Sequence, residues 1–374
     1  MGDKHKQSSK KMLNMPPIGI NFTKNHCELT KQIKNAIRFR NYYVDNPDPD
    51  KDFKVEKQLC HLEIPIAGEV SDIVVSRLRK FCSKHYYTMD YFFITTSIPV
   101  PKNLDADLKL IRDLYERLDK KPVDVLYLEN PVGLEGSDPK GIFQRARENP
   151  YTRMEVERDI FMREEYYGSL LITPDILQNL WAVWQWLTDY VIRGKLALNL
   201  GLKNFSQPQI EKLLQECECF PRVVQVELNP YCLREELRQM CAQRNIVVCA
   251  IHPFGNPLCV PSVYKTALPD NSVVKKVADY FDIDPKILLL TFLFYSKIPF
   301  VLDNDRMIGI GWMLQHVPNI KVTEFRMSCL ARLGDFNQDV PGRQELSETP
   351  SDEAKEKMDP LWPFCFVKSK HRDG

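Results

Sequence analysis

Strand-end carboxylates and a short acidic run are the residues of this sequence best placed to do chemistry. Asp45 ends the run Tyr42–Asp45, and Asp48, Asp50 and Asp52 follow at alternate positions. That spacing is how a calcium loop presents its oxygen ligands, but such a loop also needs a glycine for its turn and a terminal glutamate. Both are missing, so the acidic run is read as a solvated loop and no metal site is expected. Asp45 has two readings, a site carboxylate or a cap on the turn at Pro47. Glu129 ends a second apolar run, Val123–Glu129. A carboxyl group at such a place donates a proton only if burial pushes its pKa far above the usual carboxylate range. His252 stands alone and is read as a satisfied loop histidine rather than a base. Cys217 and Cys219 are too close together for the Cys-x-x-Cys knuckle that holds zinc. Cys60, Cys241 and Cys249 lie in apolar stretches and read as buried small hydrophobes.

Short apolar runs alternating with longer amphipathic stretches must position these groups. Strands are expected at Asn41–Asp45, Tyr91–Thr96, Val123–Glu129, Ala197–Leu202, Val223–Glu227 and Ile246–Ile251. Each is largely apolar, as parallel strands buried on both faces are. Helical spacing marks Cys27–Arg38, Ser71–Ser83, Ala106–Asp119, Thr173–Arg193, Gln207–Glu216 and Leu233–Arg244, and Asp270 and Asn271 precede a further helix over Ser272–Phe281. Repeated strand–helix–strand units imply a parallel sheet, and so many in one chain suit a closed (β/α)8 TIM barrel better than two open sheets. Such barrels carry their sites at the C-terminal ends of the strands.

Three segments fall outside that rhythm. Residues 1–14 form a basic N-terminal tail. Pro131–Ile172 is charged, contains proline and is long for a strand-to-helix loop, so it is expected to lie over the C-terminal face of the barrel. Residues 335–374 form a C-terminal tail, polar at first, whose aromatic cluster Leu361–Phe366 is read as docking back onto the barrel. The 374 residues carry 51 basic and 50 acidic side chains, a net charge of +1 that gives no reason to expect a nucleic acid partner. The longest apolar run, Ile287–Phe294, is too short to cross a bilayer. Eleven cysteines, an odd number, and a polar N-terminus without an apolar leader point to a reducing compartment, and the cytoplasm is expected.

Seven stretches resemble the aldo-keto reductase family, and together they span residues 15–330. Met15-Pro16-Pro17-Ile18-Gly19-Ile20 resembles the family's N-terminal hairpin and first strand, and Tyr42-Tyr43-Val44-Asp45 its strand ending in a catalytic aspartate. Phe92–Ser97 is similar to its third strand and Asp124–Pro131 to its fourth. Gly201-Leu202-Lys203-Asn204-Phe205 resembles Gly-Val-Ser-Asn-Phe, and Gln225-Val226-Glu227-Leu228-Asn229-Pro230-Tyr231 resembles the Gln-Val-Glu-x-x-Pro-Tyr that follows. Ile251-His252-Pro253-Phe254-Gly255 stands in place of Tyr-Ser-Pro-Leu-Gly. The fold implied is the barrel already read from the periodicity, over residues 15–334.

The resemblance implies hydride transfer from NADPH to a carbonyl carbon. The family uses a tyrosine acid, its pKa lowered by a lysine that is paired with an aspartate, and a histidine that orients the carbonyl oxygen. In this sequence the aspartate is Asp45, but Asp50 stands at the tyrosine position, Ser97 at the lysine position and Glu129 at the histidine position. Neither a phenol nor an ammonium is therefore expected in the site, and its carboxylates oppose the negative charge that develops during reduction. Some steroid double-bond reductases of the family carry glutamate at the histidine position, but they keep the tyrosine and lysine. Asn204 and Gln225 match positions that hold the nicotinamide carboxamide, although buried amides at strand ends also tie strands together. Ile251 replaces the stacking aromatic. The phosphate-gripping Ile-Pro-Lys-Ser segment aligns in two registers, one at Ile298-Pro299 that retains Arg306, the other at Asp303 and Asn304 that does not. Both lack the lysine, so NADP(H) is expected to bind weakly if at all. The function expected is a catalytically inactive member, a pseudoenzyme acting as a binding or regulatory scaffold. Its protein partner would meet the 131–172 loop or the C-terminal tail. The alternative is a divergent NADPH-dependent oxidoreductase that reduces carbonyls or activated double bonds, with Glu129 or Asp50 as the acid.

Overall fold

Eight parallel strands close into one barrel in chain order. They are β1 (Ile18–Asn21), β2 (His61–Glu63), β3 (Phe93–Pro99), β4 (Val125–Glu129), β5 (Leu200–Lys203), β6 (Val223–Glu227), β7 (Val247–Ile251) and β8 (Phe300–Asp303). The computed structural model describes residues 11–22, Leu29, Ile33, 61–99, 104–129, 181–205, 207–255, 267–303, Val317 and 320–333. Asp45, Asp50, Arg306, the 131–172 loop and the 335–374 tail lie outside the described residues.

The second strand is the main correction to the sequence reading. It is His61–Glu63, which pairs with β1 through Gly19↔His61 and with β3 through Glu63↔Thr95, and not Asn41–Asp45. A strand this short with His61 and Glu63 facing inward presents only Leu62 to the helices, so it carries no apolar run to recognise. Other bounds move by a few residues. β3 starts at Phe93 rather than Tyr91 because Met89–Tyr91 coil into a 3-10 turn. β5 runs over Leu200–Lys203 rather than Ala197–Leu202, with Ala197 making only an isolated bridge to Val123. That shift brings Lys203 inside the strand.

Helices Glu69–His85, Leu104–Arg117, Gln207–Glu216, Glu235–Ala242 and Ser272–Phe281 surround the barrel close to where periodicity places them. Asn271 begins the last of these by accepting a hydrogen bond from the Val273 amide at 2.9 Å, which satisfies one of the orphan donors of the first turn. The apolar run Ile287–Phe294 lies within helix Pro285–Tyr295 and is buried at every position. Asp284 caps it through the Lys286 amide at 2.7 Å, with Pro285 at the first helical position. Each fully buried leucine there contributes roughly 1.5–3 kcal/mol. Among the described residues no helix is long and apolar enough to cross a membrane.

Candidate functional site at the barrel mouth

Closing an eight-stranded parallel barrel staggers the register by one residue per strand, so inward side chains fall into layers drawn from alternate strands. The registers place Glu63, Tyr127, Gln225 and Val301 in one such layer. Towards the C-terminal ends lie Asn21, Ser97, Lys203 and Ile251, and beyond them Glu129, Glu227 and Asp303. The layer beneath is slim, made of Gly19, Thr95, Gly201 and Cys249. Two rings fill the space its glycines leave: a Cβ on Gly19 meets His61, and a Cβ on Gly201 sits 2.6 Å from Tyr127 Cδ1.

Lys203 organises the mouth. Its Nζ lies 2.7 Å from Glu63 Oε1 and 2.9 Å from Glu129 Oε1. Ser97 Oγ donates to Glu129 Oε1 at 2.6 Å, and Gln225 Nε2 donates to Glu63 Oε2 at 2.7 Å. The network links β2, β3, β4, β5 and β6 across the interior. The side chain of Glu63 is 3% exposed and that of Lys203 12%, against 36% for Glu129. Burial alone lowers the lysine's pKa, but Glu63 and then Glu129 more than reverse this and hold it well above the ordinary lysine value. Lys203 therefore stays charged.

This corrects the expectation of a site without an ammonium. The cation comes from β5 rather than from the β3 position that the resemblance assigns to Ser97, and its carboxylate partner on β2 is Glu63. The signal was present in the sequence: Lys203 follows Gly201 at inward spacing, at the end of an apolar strand.

A phenol is present as well, but its character is opposite to that of an acid catalyst. Tyr127 shares the layer of Glu63, and its hydroxyl is buried without a hydrogen-bond partner. Burial, with Cys249 and Glu63 adding to it, pushes its pKa well above the ordinary phenol value. His61 lies lower in the barrel, edge-on to Phe93, with Nε2 2.8 Å from Thr95 Oγ1. Its burial, only partly opposed by Glu63, lowers its pKa to about 4, so it is neutral at physiological pH. Burial also raises the Cys249 thiol, with Glu63 adding to the effect. Asn204 ends β5 in a left-handed conformation, φ 62°, and its main-chain amide donates to the Gln225 carbonyl at 2.9 Å. The structure thus brings together Ser97, Glu129, Asn204 and Gln225 of the expected residues, and adds Glu63 and Lys203.

Comparisons with known proteins agree with this architecture. The sequence profile described as "Aldo/keto reductase family" matches residues 106–294, just over half of the chain. The chain belongs to the aldo/keto reductase family. The aldo-keto reductase family 1 member A1 of Gallus gallus is 33% identical over 156 residues, 40% of this chain and 46% of that protein. The glycerol 2-dehydrogenase (NADP(+)) of Hypocrea jecorina is 31% identical over 112 residues, 30% of this chain and 35% of that protein. The chain therefore matches less than half the length of these curated relatives. The aldose reductase structure from Schistosoma japonicum superposes with a TM-score of 0.59 over 86% of this chain and 90% of that one, at 17% identity, a likeness of fold alone.

NADP(H), the cofactor the family resemblance implies, fits the described residues at one atom. Gln225 Oε1 is a buried acceptor without a partner, which suits a carboxamide N–H. The Gln225 amide nitrogen, however, is committed to Glu63, and Ile251 offers no ring to stack on. The ends of β6 and β8 carry the carboxylates Glu227 and Asp303. The described residues therefore do not fit the nicotinamide end of the dinucleotide.

Proposed function

We propose that this family member is non-catalytic and serves as a binding or regulatory scaffold. The observation that carries the reading is the closed ion-pair network of Lys203 with Glu63 and Glu129. Carbonyl reduction needs a group that releases a proton to a nascent alkoxide. Lys203 is clamped between two carboxylates and Tyr127 is held well above its usual pKa, so both are poor donors. Glu129 accepts from Ser97 and from Lys203, the role of a carboxylate rather than an acid. Among the described residues the divergent-oxidoreductase reading gains an ammonium but no acid to go with it. The seven cysteines among the described residues are all free thiols, which supports a reducing, cytoplasmic setting. The partner we propose is a protein that meets the 131–172 loop or the 335–374 tail. The test is steady-state oxidation of NADPH by purified protein with aldehydes, quinones and steroids. The expected rate equals background, and robust turnover with any of them refutes the scaffold reading.

A further inference from the structure

Two aromatic side chains stand exposed on neighbouring outer helices. Tyr280, in helix Ser272–Phe281, is 66% exposed, and Phe325, in helix Glu324–Ala331, is 76% exposed. Single exposed aromatics are ordinary on a protein surface. These two are linked by Arg326, which follows Phe325 and holds its guanidinium carbon 3.5 Å from the Tyr280 ring centroid. Phe281 meets the Tyr280 ring edge-on at 5.1 Å and lies 5.2 Å from the same guanidinium carbon. Tyr280 is thus held from two sides although most of it faces solvent. Both helices have buried faces, through Val274, Val277 and Ala278 in one and Leu330 in the other. A ring fixed before its ligand arrives loses little rotamer freedom on binding. Arg326 completes the platform. A guanidinium over a ring keeps N–H donors for an acceptor, and no carboxylate among the described residues is paired with it.

The chain itself supplies a matching segment. Helix Glu324–Ala331 is the last one described, and residues 334–374 continue beyond it. They hold Leu361-Trp362-Pro363-Phe364-Cys365-Phe366, with Asp359 two residues ahead. Trp362, Phe364 and Phe366 offer rings to the platform, and Asp359 offers a carboxylate to Arg326. A tethered segment meets its site at an effective concentration on the order of millimolar, and the cost of closing the loop over residues 334–360 grows only slowly with its length. A separate partner has no such advantage.

We propose that Tyr280, Phe325 and Arg326 form the docking surface for this chain's own Leu361–Phe366 segment, with Asp359 accepting from the Arg326 guanidinium. The inference holds whether or not the barrel turns over NADPH. It makes the tail, one of the two partner surfaces proposed above, a segment that a partner must first displace.

The experiment is amide hydrogen exchange of the full chain, read by mass spectrometry on peptides covering 361–366. Exchange there should be at least roughly tenfold slower than in a synthetic peptide of the same residues, and unchanged when the protein is diluted. Phe325→Ser and Arg326→Gln should each restore most of the free-peptide rate at unchanged melting temperature, because both side chains are solvent-facing. Tyr86→Ser, which removes an exposed aromatic outside the platform, should leave the protection intact. Exchange as fast as in the free peptide overturns the inference, as does protection that survives both platform substitutions. Protection that falls on dilution assigns the segment to a second copy and overturns it too. Should one platform variant fail to fold, the other still decides.

Discussion

Replacing Lys203 with methionine is expected to destabilise the protein by roughly 3–5 kcal/mol in denaturant unfolding at neutral pH. Methionine keeps most of the volume, so the loss is electrostatic: Glu63 is left buried without its cation, and Glu129 loses the neutralising charge beside it. Adding Glu63→Gln to Lys203→Met removes the stranded charge and keeps the hydrogen bond with Gln225 within reach, so the double variant should recover most of the loss. That rescue distinguishes a charge effect from simple loss of packing. A single variant within about 1 kcal/mol of the native protein contradicts the network as described. The pH dependence has a definite sign. The folded-state pKa of Lys203 lies above the unfolded one, so its contribution is present at every pH below the ordinary lysine value. It is lost only as strong alkali deprotonates the folded form.

Gly201→Ala should cost about 1–3 kcal/mol, towards the upper end, by overpacking the slim layer. The added Cβ falls 2.6 Å from Tyr127 Cδ1, 2.7 Å from Cε1 and 3.0 Å from Val125 Cγ1. Both neighbours are fully buried, so neither moves without disturbing the barrel. Tyr127→Leu makes room, and the pair of substitutions should be less destabilising than the sum of the two alone. Unfolding of the alanine variant at the native denaturant midpoint would mean that the ring yields freely, and that the interior is looser than drawn.

The barrel was legible because its strands at Val223–Glu227 and Val247–Ile251 are largely apolar and two of its helices carry their caps in sequence. Asn271 and Asp284 both bond as their positions indicate. The site was legible only in part. Glu129 and Asn204 fall at or just past strand ends as read, whereas Ser97 and Gln225 lie two residues inside the ends of β3 and β6. Glu63 escaped because β2 is too short and too polar within for periodicity to find it. Tyr42–Asp45, more apolar, took its place in the reading. Lys203 was visible as a departure from the family's serine, but linear spacing does not reveal that β5 faces β2 and β4 across the interior. Closure alone brings one ammonium within 3 Å of two carboxylates about 70 and 140 residues away in the chain. The ammonium at the mouth thus stands on β5, held by two carboxylates, rather than at the β3 position that the resemblance assigns to the family's lysine.

Direct calorimetric titration of the native chain with NADPH tests the central claim most sharply. With Gln225 engaged by Glu63, no stacking ring at Ile251 and carboxylates at Glu227 and Asp303, we expect no saturable binding tighter than about 1 mM. Stoichiometric binding at low micromolar concentration would contradict the account, because the mouth would then have to reopen the network that Lys203 closes.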